Sequence, residues 1–263
     1  MLSLEAHNRT PILQNLMKPS NLFFVLLFLL IGCQKENKLT FEPYLVEAEA
    51  CDNCTKISIS LPKAIDESKL ARTINTALRE EVISFLHFDD ESDISDIDTA
   101  IKSFKSGFLE LQERYEDETT PWEAKIDSEI TFEDSHLLTI ALDAYIFTGG
   151  AHGYTSNRFL NFDKIKGQEL ENWQLFKDSI AFQNLAERKF RTKENIPQDK
   201  PINYTGFMFE QDSFYLPENM GFTKKGMKLL YNQYEVSSFA DGTIELVLPH
   251  AEIKKYLAKK PKS

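Results

Sequence analysis

Residues 122–154, WEAKIDSEITFEDSHLLTIALDAYIFTGGAHGY, decide the fold class. Apolar and polar residues alternate in two runs here, which is typical of strands with one buried face. The apolar positions are Trp122, Ala124, Ile126, Ile130 and Phe132 in the first run, and Leu138, Ile140, Leu142, Ala144 and Ile146 in the second. Residues 133–135 between the runs suit a tight turn. The stretch predicts an antiparallel hairpin whose second strand leads into the glycine-rich loop 147–154.

Two amphipathic helices are predicted before this hairpin, because apolar residues recur every three or four positions in 67–87 and in 97–115. Further strands are predicted at 55–61, where Pro62 should end the strand, in 156–170, in 214–232 and at 243–249. Further helices are predicted at 178–192 and 252–257. Early helices and paired strands indicate an α+β fold with a largely antiparallel sheet, two early amphipathic helices, one middle helix and a short C-terminal helix.

The N-terminal region has the pattern of an export signal. Residues 22–31, LFFVLLFLLI, form one apolar run, and ten helical residues rise only about 15 Å, half of the hydrocarbon core of a bilayer. A short apolar run between a lysine and small residues is typical of a secretory signal peptide. Residues 30–33, LIGC, resemble the lipobox of bacterial lipoproteins. We therefore expect 1–32 to be a signal peptide, with Met17 as a possible true start, and Cys33 to be lipidated.

A lipid anchor at Cys33 would hold an otherwise soluble chain at a membrane. The resemblance to lipoprotein signals implies the outer membrane, with a periplasmic or surface-facing domain, because no aspartate follows Cys33. Residues 33–54 are polar and acidic, and we expect them to form a tether. Cys51 and Cys54 lie at its end, and in an exported chain they are expected to form a local disulfide bond. Zinc would need two further ligands, and no second cysteine pair exists.

The composition argues against one class of partner. The formal net charge is −11, which disfavours nucleic acid, since its phosphates must be neutralised by Lys and Arg. The same charge suits a basic protein partner, and it also suits plain solubility. The segment 89–98 concentrates acids without the glycine and final glutamate of a calcium loop, so we interpret it as a solvated linker whose last acids favour the start of the next helix.

Three sequence pieces resemble one known module. They are Gly149-Gly150-Ala151-His152-Gly153, Asn161-Phe162-Asp163 with Gly167, and the run from Tyr234-Glu235 through Ala240-Asp241-Gly242 to Pro249. Together they resemble the paired extracellular domains of RsiV-type anti-sigma factors and the non-catalytic N-terminal part of PdaC-type peptidoglycan deacetylases, both domains of unknown function. The resemblance implies a PdaC-like subdomain at 55–153 and an RsiV-like subdomain at 154–258.

That resemblance implies an envelope role, and we expect no cofactor. RsiV-type domains bind lysozyme and PdaC-type proteins work on the cell wall, so a lysozyme-like protein or peptidoglycan is the expected ligand. The candidate binding loop comprises Gly149, Gly150, His152, Gly153 and Asp163. Exposed aromatic residues could add a hot-spot surface or could fill the core instead; those considered are Trp173, Tyr204, Phe207 and Tyr215.

The alternative function is an envelope hydrolase with a site around His152. No nucleophile elbow of the GxSxG type occurs, and His87, His136, His152 and His250 are isolated in sequence. Asp143, Asp163 and Asp241 could converge with His152 only in the folded chain. We therefore expect binding rather than catalysis, with His152 either locking a turn that needs glycines or contacting a ligand.

Overall fold

A six-stranded sheet contains the hairpin predicted at residues 122–154. The computed structural model describes residues 39–47, 54–87, 94–115 and 120–261. The strands are β1 (Phe41–Glu47), β2 (Lys56–Ala64), β3 (Glu123–Glu133), β4 (Leu137–Phe147), β5 (Tyr154–Asp163), β6 (Gln168–Glu169), β7 (Asn219–Thr223), β8 (Gly226–Tyr231) and β9 (Ile244–Pro249). The helices are α1 (Lys69–Leu86), α2 (Ile97–Arg114), α3 (Ser179–Lys193) and α4 (His250–Ile253). The predicted α+β class is confirmed.

The large sheet has the strand order β1-β2-β3-β4-β5-β6, and the small sheet has the order β7-β8-β9. All neighbours are antiparallel except β2 and β3, which are parallel. The parallel pair follows from the two helices between them, since parallel neighbours need a crossover connection. β5 lies beyond the predicted subdomain boundary after residue 153, yet it pairs along its whole length with β4.

Helices α1 and α2 begin at side-chain caps. The hydroxyl of Ser68 accepts a hydrogen bond from the backbone N–H of Ala71, and the carboxylate of Asp96 accepts one from Thr99. Such caps satisfy N–H groups that have no partner inside the helix. Asp96 belongs to the acidic segment 89–98, so the prediction that its last acids favour the next helix is confirmed. Residues 89–93 of that segment lie outside the described residues.

The helices cover one face of the large sheet. The indole of Trp122 is buried there against the rings of Phe104 and Phe108 on α2, at centroid distances of 5.3 and 6.0 Å. Two core clusters lie between helices and sheet. The first includes Ile57, Ile59, Val82, Phe104 and Trp122, and the second includes Leu70, Ile74, Leu78, Leu138, Ile140, Leu160 and Phe162. The alternating positions predicted from the hairpin supply one wall of both clusters, except Phe132. A bulge between Ile130 and Phe132 places the Phe132 ring against Phe222 of the small sheet instead.

The small sheet packs between the other face of the large sheet and the C-terminal helices. Its strands share a third core cluster with α3 and α4, which includes Phe182, Phe190, Phe222, Leu229, Tyr231, Leu248 and Ile253. Side chains of the large sheet also hold the backbone of β7. The hydroxyl of Thr131 donates to the carbonyl of Phe222 at 2.8 Å, and the carboxamide of Asn161 donates to the carbonyl of Met220 at 2.8 Å.

Three local predictions are wrong. Pro62 does not end β2, because it sits opposite Pro43 on the edge strand and pairing continues to Ala64. Residues 41–47 are not tether but form β1; two glutamates and a proline hide a strand that is half exposed and paired on one side only. The closing helix begins at His250 rather than residue 252 and ends at Ile253, with turns following it.

Several predictions concern residues that the structure does not describe. These are the apolar run 22–31, Met17, Cys33 and Cys51. Cys54 is disulfide-bonded, but its pairing with Cys51 stays a prediction because the partner lies outside the described residues. Within the described ranges, no helix combines the length and apolar character that a membrane crossing requires. Every described element and all three core clusters lie in the compact unit Asn37–Ser263, so a chain starting at Asn37 retains the whole described fold.

Gly221 of β7 permits close contact between the two sheets, which gives a first prediction. A Cβ atom at Gly221 would lie 2.2–2.8 Å from Cδ1, Cγ and Cβ of Phe159 on β5. Because Cβ of Phe159 moves only with its backbone, we expect Gly221→Ala to lower the free energy of unfolding by about 1–3 kcal/mol, measured by urea denaturation.

Gly153→Ala is the matched control for this substitution. Its Cβ would meet the distal ring atoms of Tyr145 at 2.5 Å, and this partly exposed ring can swing aside. We expect a loss below about 1 kcal/mol for the control. Equal losses in the two variants would contradict the role assigned to Gly221.

Candidate functional site

The glycine-rich loop 148–153 connects β4 to β5 and lies beside the loop 232–242. Gly149 and Gly150 have φ values of +101° and +85°, a region that glycine enters without steric cost. Their conformations turn the chain so that His152 reaches the other loop. The imidazole of His152 stacks on the ring of Phe239, with centroids 3.9 Å apart and an interplanar angle of 20°.

Four rings lie at these two loops, and we name them the aromatic row: Tyr145, His152, Phe239 and Tyr234. The Phe239 ring lies 5.5 Å from that of Tyr234. At the other end, the Tyr145 ring lies so close to Gly153 that a Cβ atom there would come within 2.5 Å of it. Tyr145 and Tyr234 are 36% and 57% exposed. The row is therefore an accessible apolar surface with polar edges.

Hydrogen bonds to β5 fix the position of the loop 232–242. The carboxamide oxygen of Asn232 accepts from the backbone N–H of Asn157 at 2.8 Å, and its amide group donates to the carbonyl of Asn157 at 3.2 Å. The carboxamide oxygen of Gln233 accepts from the N–H of Thr155 at 3.4 Å. These contacts satisfy backbone groups of β5 that no neighbouring strand uses, so the loop also protects a strand edge.

Further contacts hold the loop itself. The carboxylate of Glu235 accepts from the backbone N–H of Asn232 at 2.8 Å, and burial raises the pKa of Glu235 above its usual value. The carboxylate of Asp241 accepts from the N–H and hydroxyl of Ser238 at 3.1 and 2.6 Å. The carbonyl of Val236 accepts from the N–H of Met208 at 2.8 Å. The rings of Phe239 and Tyr234 are thus carried on a preorganised backbone.

Tyr234 is held in an unfavourable backbone conformation. Its φ is +66°, which is uncommon for a bulky residue and costs roughly 1–2 kcal/mol. A strained residue persists only where surrounding contacts determine it, and such residues cluster at functional sites. Here the neighbours Gln233 and Glu235 are both hydrogen-bonded, and the strained residue presents an exposed ring.

The predicted binding loop is only partly brought together. The loop residues lie at the end of β5 that is next to the aromatic row; they are Gly149, Gly150, His152 and Gly153. Asp163 lies at the opposite end of that strand, roughly 30 Å away for ten strand residues. Asp163 is fully buried and accepts from the N–H groups of Ile165 and Lys166. Burial alone would raise its pKa, but the hydrogen bonds from Lys259 and these N–H groups lower it below the usual value.

The acids considered as partners of His152 serve other contacts. Among the described residues, the hydrogen bond of His152 goes to the neighbouring Gly153 carbonyl, with Nδ1 at 3.2 Å. The carboxylate of Asp241 accepts hydrogen bonds from Ser238, as described above. Asp143 lines a polar cleft of about 660 Å³ between the two sheets, together with Glu129 and Glu245. Burial raises the pKa of Asp143, Lys228 opposes that shift, and the nearby carboxylates add to it. No acid–base pair with His152 results.

The aromatic candidates divide into two groups. Trp173 and Tyr204 are exposed. Phe207 and Tyr215 pack against the third core cluster, so these two side chains help to fill the core, which was one of the two alternatives. Sequence reasoning did not select Tyr145, Phe239 or the ring of Tyr234. The sequence feature that points to these residues is that two of the three family-like pieces contain them or lie next to them. In the part of the chain that the structure describes, no three His, Cys, Asp or Glu side chains are arranged to hold a metal ion.

The family comparisons divide the chain in two. Residues 48–155 match the family model described as deacetylase PdaC, and residues 174–251 match that of a protein of unknown function, DUF3298. The chain therefore carries a PdaC-like region followed by a DUF3298 region, and the resemblance inferred from the sequence is confirmed. These regions fit a non-catalytic module. The aromatic row takes Tyr145 and His152 from the first region and Tyr234 and Phe239 from the second.

Two solved structures share this fold. A DUF3298-family protein from Bacteroides fragilis aligns with a TM-score of 0.70 at 19% identity, covering 86% of this chain and 96% of that one. A DUF3298-family protein from Pseudomonas aeruginosa aligns with a TM-score of 0.60 at 17% identity, covering 86% and 97%. At these identities the likeness shows the fold alone. No curated protein matches the sequence.

The strain at Tyr234 gives the second prediction. Asparagine tolerates a positive φ better than tyrosine, so Tyr234→Asn relieves strain while removing a ring that is mostly in water. We expect the free energy of unfolding to stay unchanged or to rise by up to about 1 kcal/mol, measured by urea denaturation. Tyr204→Asn, at an exposed residue with ordinary φ, should give no gain. A loss above about 1 kcal/mol in Tyr234→Asn would show that the ring is retained for stability.

Proposed function

We propose that the protein is a lipid-anchored, non-enzymatic binding module of the bacterial cell envelope, and that the aromatic row binds a basic, lysozyme-like protein. The observation that carries this proposal is the strained and exposed Tyr234, whose ring neighbours that of Phe239, on which His152 stacks. Aromatic side chains dominate the binding energy of protein interfaces, since they bury a large area at little cost in conformational entropy.

Rigidity of the row supports a binding role. The loop 232–242, which carries Phe239 and Tyr234, is fixed by hydrogen bonds to β5 and within itself. A surface that is already ordered loses little conformational freedom when a partner binds, so more of the contact energy appears as affinity. The stacking of His152 on Phe239 orders the centre of the row in the same way.

Charge supports a basic partner. The formal net charge is −11, and the carboxylates of Glu235 and Asp241 lie in the same loop as Tyr234 and Phe239. Opposite charge accelerates encounter and favours correct orientation more than it adds affinity. An acidic chain with acids beside its aromatic anchors is suited to a basic protein such as a lysozyme.

The alternative of an envelope hydrolase around His152 has less support. General acid–base catalysis needs a second group within hydrogen-bond reach, and the described residues supply only the backbone carbonyl of Gly153. The fixed place of His152 against Phe239 fits a ring that contributes contact area. Peptidoglycan remains the alternative ligand, because rings that stack on a protein partner can also stack on sugars.

Titration of residues 37–263 with lysozyme by isothermal calorimetry tests the binding proposal. We expect Tyr234→Asn to weaken binding at least tenfold, since buried aromatic anchors are each worth on the order of 2 kcal/mol or more. Tyr204→Asn removes an equally exposed ring outside the row and should leave the affinity unchanged.

Sedimentation with insoluble peptidoglycan is the parallel measurement. Retention on peptidoglycan without lysozyme binding would make the glycan the ligand of the row, provided that Tyr234→Asn abolishes it. Absence of binding in both assays would refute the proposed function.

The lipid anchor is tested separately by metabolic labelling with palmitate in a bacterial host. We expect label on the full chain and none on Cys33→Ser, because the thiol of Cys33 is the proposed acylation site. Cys54→Ser is the control and should retain the label, since Cys54 is disulfide-bonded. Label that persists in Cys33→Ser would contradict the anchor assignment.

A further inference from the structure

Four lysines converge at the end of β5 that lies opposite the aromatic row. Lys166, Lys254, Lys259 and Lys260, which we name the lysine cluster, line a pocket of about 700 Å³ together with His136, Ile165, Ala258 and Pro261. The chain as a whole has a net charge of −11. A cluster of four positive charges is therefore unusual on this acidic chain. Hydrogen bonds and an ion pair of Asp163 determine its position.

Asp163 brings the lysines together. Its Oδ1 accepts from the N–H groups of Ile165 and Lys166 at 2.9 and 3.1 Å, which shapes the turn after β5. Its Oδ2 lies 2.6 Å from Nζ of Lys259 near the C-terminus. The N–H of Ala258 donates to the carbonyl of Leu175 at 2.9 Å. The C-terminal segment is thus held against the turn that carries Lys166.

Three of the four lysines form no ion pair within the part of the chain that the structure describes. Lys259 is paired with the buried carboxylate of Asp163, but among the described residues no carboxylate lies within ion-pair distance of Lys166, Lys254 or Lys260. Clustering like charges costs free energy unless an anion neutralises them. The cluster is therefore suited to an anionic ligand.

Ile165 indicates which kind of anion fits. It is 57% exposed at the tip of the turn, immediately before Lys166. An exposed aliphatic side chain contributes nothing to the binding of a small soluble anion. At a bilayer it can enter the boundary between headgroups and acyl chains while the surrounding lysines contact the headgroups. The combination of cations with one apolar tip matches a membrane surface.

We propose that the lysine cluster and Ile165 form a docking surface for anionic lipid headgroups. The remaining surface is predominantly acidic and is repelled by such a membrane, so the contact orients the molecule with this end towards the bilayer. The inference goes beyond the proposed function and does not depend on it, because neither the aromatic row nor the acylation of Cys33 enters the argument.

Co-sedimentation of residues 37–263 with vesicles tests the docking surface without the anchor. We expect binding to phosphatidylcholine vesicles in which about one lipid in three is the anionic phosphatidylglycerol. We expect little binding to vesicles of phosphatidylcholine alone. The triple variant Lys166→Gln, Lys254→Gln, Lys260→Gln should bind the anionic vesicles at least tenfold more weakly, since each lysine near an anionic surface contributes roughly fivefold. Salt should weaken binding of the unsubstituted chain.

A second triple variant supplies the matched control. Lys56→Gln, Lys102→Gln, Lys105→Gln changes the net charge equally at exposed lysines outside the cluster and should retain most of the binding. Equal loss in both triple variants, or equal binding to neutral and anionic vesicles, would overturn the proposal.

Ile165→Ser distinguishes a membrane from a soluble polyanion. It should lower vesicle binding severalfold without changing the affinity for inorganic tripolyphosphate, measured by calorimetry. Tight tripolyphosphate binding together with unchanged vesicle binding in Ile165→Ser would assign the cluster to a soluble phosphate ligand and exclude the membrane role. Circular dichroism of each variant tests whether the fold is intact. None of these substitutions lies in the aromatic row.

Discussion

The carboxamide of Asn161 is the contact on which the arrangement of the two sheets depends. The residue is buried, its oxygen accepts from the hydroxyl of Thr139 on β4 at 2.8 Å, and its amide donates to the carbonyl of Met220 on β7 at 2.8 Å. A buried amide that lost one partner would carry the full cost of desolvation. The small sheet is thereby held in one register against the large sheet, and the loops of both sheets meet at fixed positions.

This constraint explains why Asn161-Phe162-Asp163 is a compact signature. The three consecutive residues serve three different layers: Asn161 faces the small sheet, Phe162 fills the core beneath α1, and Asp163 shapes the turn that receives Lys259. Alternation along a strand sends neighbouring side chains to opposite faces. One short segment can therefore join both sheets, the helices and the C-terminus.

The sequence was sufficient for elements whose signal is local. The stripes on α1 and α2 and the alternation of β3 and β4 depend on residues within one or two turns, so periodicity predicted them. β1 was missed because its stability comes from β2, through Tyr44 opposite Leu61 and Val46 opposite Ile59, rather than from its own composition. The docking of the small sheet on Asn161 could not be predicted, because a buried asparagine and a surface asparagine look alike in sequence.

The candidate site likewise combines features that are visible in the local sequence with contacts between distant parts of the chain. The glycines of the loop were visible in the sequence, but the row also needs Tyr234 and Phe239, which a separate sheet brings to His152. Asp163 was grouped with that loop from its place in the motif, and the length of β5 separates them. β5 therefore gives the molecule two chemically different ends, aromatic and acidic at one, cationic at the other. A chain docked on a membrane through the lysine cluster would present the aromatic row about 30 Å further out, where a protein partner has unobstructed access.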